Sequence, residues 1–335
     1  MPAGCHPRAG QPRGLRADTE VRWLSSGKEA GDWGVEMTVV IGELPLRGGG
    51  GEPVDLRRTL ASHGLGLLPS NRLDTKTWTL ETTLSTGAGA ARTVRLSGGA
   101  ETVTIASVGG VVSPQQAQQL TAQCRHLLRL DENLSHFYAL AAGDPRLAWA
   151  TGGAGRMLRS ATVFEDVVKT ICTTNCAWSA TVRMVTAIVD NLGEPGLGNS
   201  RAFPGPVAMA EAGEDFYRDL ARAGYRGAYI RSLAREVAEG RLDLEALNDP
   251  ELPDLEAQAR LLALPGIGPY AAAHIMLTSL GRYGPLTLDS WTRPTYARLT
   301  GRRAADLTIE RRFRRYREYS GLAFWLFLTR DWVAE

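Results

Sequence analysis

Residues 261–293 read LLALPGIGPYAAAHIMLTSLGRYGPLTLDSWTR, and this stretch decides the fold of the helical part of the chain. Helical patterns on both sides predict helices over 255–264 and 269–280. These helices are joined by a tight turn of Pro265, Gly266, Ile267 and Gly268. Glycine tolerates backbone angles that side chains forbid, and the proline after the turn suits the first position of a helix. The turn therefore presents free backbone N–H groups at a helix N-terminus, which can bind an anion such as phosphate.

A single carboxylate stands at the end of the same stretch. Asp289 follows the short run Leu286-Thr287-Leu288. A phosphate-binding turn followed by one acid indicates chemistry on the backbone of a nucleic acid. This combination of turn, spacing and aspartate resembles the helix-hairpin-helix (HhH-GPD) DNA glycosylases of base excision repair. The resemblance implies that residues 265–268 bind DNA and that Asp289 is the catalytic residue.

Composition is that of a globular protein and excludes several classes. The chain has 335 residues, of which 44% are hydrophobic and 22% charged, and a formal net charge of +2. No stretch approaches the ~20 apolar residues that span a membrane, and no secretory signal is recognisable. The cysteines are too few and scattered for a metal or iron–sulfur site; they are Cys5, Cys124, Cys172 and Cys176. We therefore expect a cytoplasmic, nucleoid-associated protein that holds no such cluster.

Hydrophobic periodicity divides the chain into three parts and predicts an α+β fold. Residues 1–36 have no period and are expected to be a disordered tail. Residues 37–125 are expected to form a small antiparallel β-sheet domain, because apolar and polar residues alternate between 77 and 107. Residues 126–335 are expected to form a mostly α-helical, two-lobed HhH-GPD body that contains the helix-hairpin-helix at 255–280. Helices are predicted over 113–127, 131–141, 162–173, 177–191, 206–213, 214–223, 226–239, 255–264, 269–280, 290–299 and 307–330.

Three segments upstream of the hairpin resemble one branch of the superfamily, the eukaryotic 8-oxoguanine DNA glycosylases. They are GRMLR at 155–159, ICTTN at 171–175 and GYRGAYI at 224–230. The resemblance implies that Asn175 fills the gap left by an extruded base, that Tyr225 wedges into the duplex and that Arg226 reads the orphaned base. Such side chains lower the cost of removing a base from the stack. The alternatives are a helix cap for Asn175 and an exposed tyrosine at a helix start for Tyr225.

The hairpin departs from the members that also cut the DNA strand. Those members carry a lysine two residues after the second hairpin glycine, and Tyr270 occupies that position here. Strand scission through a Schiff base needs an amine nucleophile. Lys169 is the one lysine after residue 76, and it is distant from the hairpin in sequence. We therefore predict a monofunctional glycosylase without abasic-site (AP) lyase activity.

The expected base pocket is aromatic. Phe324 stands where the 8-oxoguanine branch has a glutamine that binds the oxidised base. An aromatic face favours electron-poor, cationic bases such as alkylated purines. Tyr270, Trp291 and Trp325 are expected to add to this pocket. His274 follows Tyr270 by one helical turn and is a candidate contact to the base. Packing in the helical core is the alternative for Phe324, Trp325 and His274.

Asp289 is assigned to the chemistry. Cleavage of an N-glycosidic bond develops positive charge on the deoxyribose, and a carboxylate can stabilise that charge and orient the attacking water. Its structural alternative is to cap the helix expected over 290–299, and one residue can do both.

An arginine-rich segment begins at Arg293 and interleaves basic with aromatic residues, a pattern that fits phosphate contacts. A solvated helix face is the alternative. We expect a monomer that binds double-stranded DNA containing a damaged base and does not bind a membrane. No cofactor is expected, although the resemblance implies a monovalent cation at the hairpin carbonyls. Three functions stay open: excision of alkylated purines such as 3-methyladenine, excision of 8-oxoguanine, and binding of damaged DNA without catalysis.

Overall fold

The computed structural model describes residues 37–87 and 91–333, so the tail predicted over 1–36 lies outside the described part of the chain. The first elements are strands: β1 (Thr38–Pro45), β2 (Asn71–Asp74), β3 (Thr79–Leu84), β4 (Arg92–Gly98) and β5 (Thr102–Val108). They form one antiparallel sheet in the order β1-β5-β4-β3-β2. Alternation in β4 and β5 places one set of side chains on a common, fully buried face: Val94, Leu96, Val103 and Ile105.

Two helices pack on this sheet, α1 (Leu56–Leu60) and α2 (Pro114–Leu127). α2 begins in a capping box, because the Ser113 hydroxyl accepts a hydrogen bond from the Gln116 N–H and the Gln116 side chain accepts one from the Ser113 N–H. Leu127, in the last turn of α2, lies in the same buried cluster as the strands. The predicted domain boundary at residue 125 therefore falls inside a helix that packs on the sheet.

The rest of the described chain is a helical body with two cores, as the predicted two-lobed α+β fold requires. Its helices are α3 (Ser135–Ala142), α4 (Val163–Thr173), α5 (Trp178–Leu192), α6 (Pro206–Glu211), α7 (Arg226–Ala238), α8 (Asp254–Leu262), α9 (Pro269–Ile275), α10 (Thr292–Thr300), α11 (Asp306–Phe313) and α12 (Ser320–Thr329). One core is built mainly from α4, α5, α7, α8 and α9, and the other from α3, α10, α11 and α12.

The second helix of the hairpin runs between the two cores. α9 continues into a π-helical turn, Met276–Leu280. Met276 is buried in the first core, whereas its neighbour Leu277 is buried in the second. The second helix of the hairpin and its π-helical turn therefore contribute to both cores.

Two helix predictions are wrong in extent. The helix expected over 307–330 is divided into α11, the 3-10 segment Arg314–Tyr319 and α12, because Arg317 has a φ of +53° and a ψ of −125°. Beyond this break the Gly321 N–H donates to the Tyr283 carbonyl oxygen at 2.7 Å. A Cβ on Gly321 would overlap the Pro285 carbonyl oxygen. Because glycine has no side chain, α12 can approach this segment closely. The helix expected over 214–223 begins as predicted at residue 214 but ends at Leu220, and its Phe216–Leu220 part is a π-helical turn.

Candidate functional site

The hairpin turn gives its two glycines different roles. Gly266 has a φ of +83°, and a Cβ there would lie 2.7 Å from the Tyr229 ring. Gly268 has an ordinary extended backbone with a φ of −97°, and a Cβ there would meet no atom within 4 Å. Ile267 between them is buried in the first core, whereas Pro265 and Gly268 are exposed. The fold therefore requires Gly266, while Gly268 leaves an open approach to the first turn of α9, which has no side-chain cap.

Asp289 is half-buried just before α10 and takes part in its capping. Its Oδ1 accepts hydrogen bonds from the backbone N–H groups of Trp291 at 2.9 Å and Thr292 at 2.6 Å. The Thr292 hydroxyl in turn accepts one from the Asp289 N–H at 2.8 Å. Burial raises the pKa of the Tyr270 hydroxyl, and the charge of Asp289 raises it further. The capping carboxylate thus also acts on a side chain at the start of α9.

Rings from three helical regions gather beside Asp289, and we call them the aromatic cluster: Tyr270, His274, Trp291, Trp325 and Trp332. The Tyr270 and His274 rings are stacked, with centroids 5.7 Å apart and planes at 25°. The Trp325 ring meets the His274 ring edge to face, with centroids 5.9 Å apart. Its centroid lies 5.8 Å from that of Trp291, with the two planes tilted at 51°. Trp332, which sequence reasoning missed, contacts Trp291 and Trp325 at 5.5 and 5.7 Å. The structure therefore brings together four of the five predicted pocket residues.

Phe324, the fifth predicted pocket residue, points elsewhere. It is fully buried, and its ring contacts in the described chain are with Phe313 at 5.3 Å and Tyr296 at 6.4 Å. Both residues are buried in the second core, but neighbouring residues on a helix face different directions, so of the two only Trp325 also contacts the aromatic cluster. The prediction that Phe324 lines the base pocket conflicts with this placement, and core packing accounts for the residue.

The small β domain contributes to the site, which the sequence did not indicate. The Trp325 indole N–H donates to the Ser62 carbonyl oxygen at 2.8 Å. The adjacent His63 is buried, and its ring meets that of His274 edge to face at 6.0 Å. A lone histidine in an apolar segment carries no motif, so no sequence signal pointed to His63.

Asn175 and Tyr225 lie together on the surface. The Asn175 amide donates to the Tyr225 hydroxyl at 3.2 Å, and Tyr225 is 51% exposed. Asn175 has a φ of +50°, a left-handed backbone that asparagine tolerates better than most residues. These two residues, fifty positions apart in sequence, form the projecting feature that the resemblance to the 8-oxoguanine branch implies. Their roles against DNA stay predictions.

Two arginines assigned to DNA are engaged within the protein. Nε and Nη2 of Arg226 donate to the Thr174 carbonyl oxygen, and its Nη1 donates to that of Ala223 at 3.4 Å. Arg226 is buried and supports the loop that carries Asn175, so reading an orphaned base would require it to leave these partners. Arg293 makes a bidentate ion pair with Asp306, with N–O distances of 2.8 and 2.9 Å.

The arginine-rich segment is partly accounted for by internal contacts. The Arg312 guanidinium lies over the Phe327 ring at 5.0 Å and donates to the Tyr296 hydroxyl at 3.0 Å. Arg315 forms an ion pair with Asp144. These contacts favour a structural role for part of the segment.

Lys169 is fully buried on α4. Its Nζ forms an ion pair with Glu165 Oε1 at 2.7 Å and donates to the Ser160 hydroxyl at 3.2 Å. Lys169 lies close enough to His63 for its charge to lower the pKa of that imidazole. The residue is therefore nearer to the aromatic cluster than its sequence position indicated, but its amine is held in an ion pair.

A metal-binding cluster and a membrane-spanning helix are both absent from residues 37–87 and 91–333. No group of three or more histidine, cysteine, aspartate or glutamate side chains in these ranges is placed to hold a metal ion. None of the helices there has the length and apolar character needed to cross a bilayer. The monovalent cation expected at the hairpin carbonyls stays a prediction.

The chain was compared with known proteins. No family model matches it. It is 30% identical over 201 residues to the N-glycosylase/DNA lyase OGG1 of Arabidopsis thaliana, an alignment that covers 54% of this chain. The match spans 53% of that curated relative, about half its length.

Solved structures resemble the whole fold. The 3-methyladenine DNA glycosylase from Archaeoglobus fulgidus superposes with a TM-score of 0.68 at 20% identity, covering 88% of this chain and 100% of that one. The 8-oxoguanine glycosylase/lyase of Clostridium acetobutylicum superposes with a TM-score of 0.63 at 21% identity, covering 82% and 92%. The predicted resemblance to DNA glycosylases is thereby confirmed, and the chain has the fold of these two solved structures.

Proposed function

We propose that this protein is a monofunctional DNA glycosylase that extrudes a damaged base, most suitably an alkylated purine such as 3-methyladenine, and hydrolyses its N-glycosidic bond. One observation carries the proposal: the half-buried carboxylate of Asp289 lies beside the aromatic cluster and acts electrostatically on Tyr270 and His274. A carboxylate and a flat aromatic surface are the two features that base excision needs, one for the sugar and one for the base.

Asp289 acts on the sugar in this mechanism. As the bond between base and deoxyribose lengthens, positive charge grows on the sugar ring, and the carboxylate stabilises it. The same oxygen atoms orient a water molecule for attack on the sugar carbon. Capping does not prevent this role, because Oδ1 takes the two backbone hydrogen bonds and Oδ2 is not used in them.

The aromatic cluster acts on the base. Stacking on Tyr270, Trp291 or Trp325 favours a cationic ring by about 0.5–2 kcal/mol. An alkylated purine already carries positive charge and leaves readily, so the site needs no strong general acid. Exclusion of Phe324 from the cluster leaves this argument to the three remaining rings. One solved structure with the same fold is named a 3-methyladenine DNA glycosylase, which is in accord with this choice.

The proposed enzyme releases the base without lyase activity, because the site offers no free amine in the described residues. Tyr270 occupies the position of the nucleophilic lysine, and the buried Lys169 amine is held in an ion pair with Glu165. An amine held in this way is not positioned to attack a sugar aldehyde. The relative named N-glycosylase/DNA lyase differs from the proposal in this respect, which makes the activity worth measuring.

In the proposal the partner is double-stranded DNA with one damaged base, bound by a cytoplasmic, nucleoid-associated monomer without a cofactor. The open backbone at Gly268 takes a phosphate, and Tyr225 with Asn175 enters the duplex where the base has left. Arg293 reaches a phosphate only if DNA competes with Asp306 for its guanidinium.

A panel of duplexes tests the proposal. Each duplex carries one lesion, either 3-methyladenine, hypoxanthine, uracil or 8-oxoguanine, and base release is followed under single-turnover conditions. Release of 3-methyladenine that is lost in Asp289→Asn supports the proposal. Release of 8-oxoguanine alone would favour the second candidate function, for which the Asn175–Tyr225 pair speaks because it resembles that branch. Binding of damaged duplex without release of any base would identify a non-catalytic binder.

A further inference from the structure

Two buried imidazoles lie behind the Tyr270 ring. His274 is on α9, and His63 follows α1 in the β domain, so the pair joins two distant parts of the chain. The ring centroids are 6.0 Å apart with planes at 87°. Only 1% of the His63 surface and 5% of the His274 surface are exposed. Both histidines are therefore enclosed by the protein, within reach of the charges of Lys169 and Asp289.

The hydrogen bond to Leu158 sets the tautomer of His63. Its Nε2 lies 2.5 Å from the Leu158 carbonyl oxygen. A carbonyl oxygen can only accept, so Nε2 carries the proton. Burial lowers the pKa of His63 to about 4, so the ring is neutral at pH 7 and its Nδ1 is a hydrogen-bond acceptor.

The acceptor has no partner in the described chain. Nδ1 of His63 and Nδ1 of His274 are both buried and make no hydrogen bond there. A buried polar atom without a partner is costly, and most such atoms in folded proteins are satisfied. A ligand that enters the site can supply the missing partner. His63 and His274 therefore form a polar spot prepared for a group that enters the site.

The position of this spot indicates which ligand group arrives there. His274 stacks on Tyr270 and contacts Trp325, and the charge of Asp289 acts on it. A base stacked in the aromatic cluster with its sugar at Asp289 would turn an edge towards the imidazole pair. Base edges carry N–H donors and ring-nitrogen or carbonyl acceptors.

We propose that His63 is a specificity-determining residue whose unprotonated Nδ1 accepts a hydrogen bond from an N–H on the edge of the extruded base, with the His274 ring forming the adjacent wall. The preferred substrates are then purines that retain an N–H on the base edge. Purines whose edge nitrogens are part of an additional fused ring are disfavoured. This inference rests on the proposed function and narrows its substrate class.

Two substitutions separate reading from packing. His63→Gln places an amide nitrogen near the position of Nε2, so the bond to the Leu158 carbonyl is kept while the Nδ1 acceptor is lost. His63→Asn places its amide near the position of Nδ1 and loses the Leu158 bond. If His63 has only a structural role, glutamine should replace it better than asparagine. If His63 recognises the base, asparagine should replace it better than glutamine.

The readout is binding to uncleavable duplexes, in which a 2′-fluoro group blocks release of the base. One duplex carries hypoxanthine, which has an N–H on its edge, and the other carries 1,N6-ethenoadenine, which has none. Fluorescence anisotropy at one fixed salt concentration gives both dissociation constants for each variant. We expect His63→Gln to weaken hypoxanthine binding about tenfold, while ethenoadenine binding changes less than about twofold. His63→Asn should retain more of the hypoxanthine preference than His63→Gln.

Equal effects of His63→Gln on both duplexes, or none on either, would overturn the inference. So would a wild-type protein that binds the ethenoadenine duplex as tightly as the hypoxanthine duplex. Thermal unfolding at pH 7.5 checks that each variant folds, and the ratio of the two constants corrects for a reduced active fraction. Because binding needs no turnover, a chain that releases no base fails the proposed function while the preference for an edge N–H is still measured.

Discussion

Asp289 and Thr292 hold each other through two reciprocal hydrogen bonds, since Asp289 Oδ1 accepts from the Thr292 N–H at 2.6 Å and the Thr292 hydroxyl accepts from the Asp289 N–H at 2.8 Å. The carboxylate is thereby fixed at the start of α10, next to the aromatic cluster. A rigidly held group is worth more in catalysis than a mobile one, because its geometry does not have to be attained during the reaction. The same pair also makes the catalytic and capping roles separable by mutation.

Asp289→Asn should abolish base release while the fold is retained. Asparagine caps a helix about as well as aspartate, but it cannot stabilise the charge of the sugar. We expect a loss of about 100-fold or more in the single-turnover rate, with the unfolding midpoint unchanged. Asp289→Ala is the matched control, and it should add a loss of about 1 kcal/mol in stability. Full activity in the asparagine variant would remove Asp289 from the mechanism.

The two hairpin glycines should respond differently to alanine. Gly266→Ala forces a side chain into a left-handed backbone and against the Tyr229 ring, so it should lower the free energy of unfolding by about 1–3 kcal/mol. Gly268→Ala meets no neighbour within 4 Å and should unfold like the wild type. If this backbone receives a phosphate, the added methyl group should weaken duplex binding about tenfold. Unchanged binding at fixed salt would show that DNA does not approach Gly268.

Removal of the Tyr225 ring should matter only when a base must be extruded from a paired duplex. Tyr225 is half-exposed, so Tyr225→Ala should leave stability nearly unchanged. Extrusion from a paired stack costs a few kcal/mol, and loss of the wedge should slow release about 10-fold to 100-fold. The defect should shrink when the lesion lies opposite an abasic site, where unpairing is already complete. Tyr225→Phe, which keeps the ring but loses the hydrogen bonds of the hydroxyl with Asn175 and Thr174, is the control.

Stability should fall as the pH is lowered below about 6.5, because two buried histidines and the half-buried His126 are neutral in the folded chain. Burial lowers the pKa of His63 and His126 to about 4 and of His274 to about 3. The unfolded chain has a histidine pKa near 6.5, so it binds more protons than the folded chain between these values. Each histidine then costs up to about 1.4 kcal/mol of stability for each pH unit within this window.

Thermal unfolding between pH 7.5 and 5 measures this effect. In His63→Gln the decrease should be smaller than in the wild type, because one of the titrating groups is gone. An identical pH dependence in the two proteins would mean that His63 is not protonated on unfolding in this range.

Borohydride should trap no covalent adduct between the wild-type protein and DNA that contains a damaged base. The hairpin offers Tyr270 in place of an amine, and Lys169 is paired with Glu165 in the interior. An adduct would contradict the monofunctional proposal, and its loss in Lys169→Met would then identify the nucleophile. Tyr270→Lys restores an amine at the hairpin and serves as a positive control for trapping.

Local pattern was sufficient to predict much of this molecule. Alternation predicted β3, β4 and β5, helical periodicity predicted most of the helices, and Ser113 with Gln116 marked the start of α2. The two glycines before Pro269 predicted the hairpin, and the spacing to Asp289 indicated the resemblance to DNA glycosylases. These features depend on residues close together in sequence, and the physical causes are local: allowed backbone angles, capping hydrogen bonds and the side on which apolar residues fall.

What those faces meet depends on how the whole chain packs. The sequence shows that Phe324 and Trp325 are apolar, but not that both enter the second core while only Trp325 also contacts His274 and Trp291. The sequence placed Lys169 far from the hairpin, whereas packing of α4 brings it near His63. His63 and His274 come from distant segments of the chain, and their pairing depends on how the sheet domain packs on the helical body. Such contacts arise from the global packing of surfaces, and a linear pattern of residues does not record which surfaces pack together.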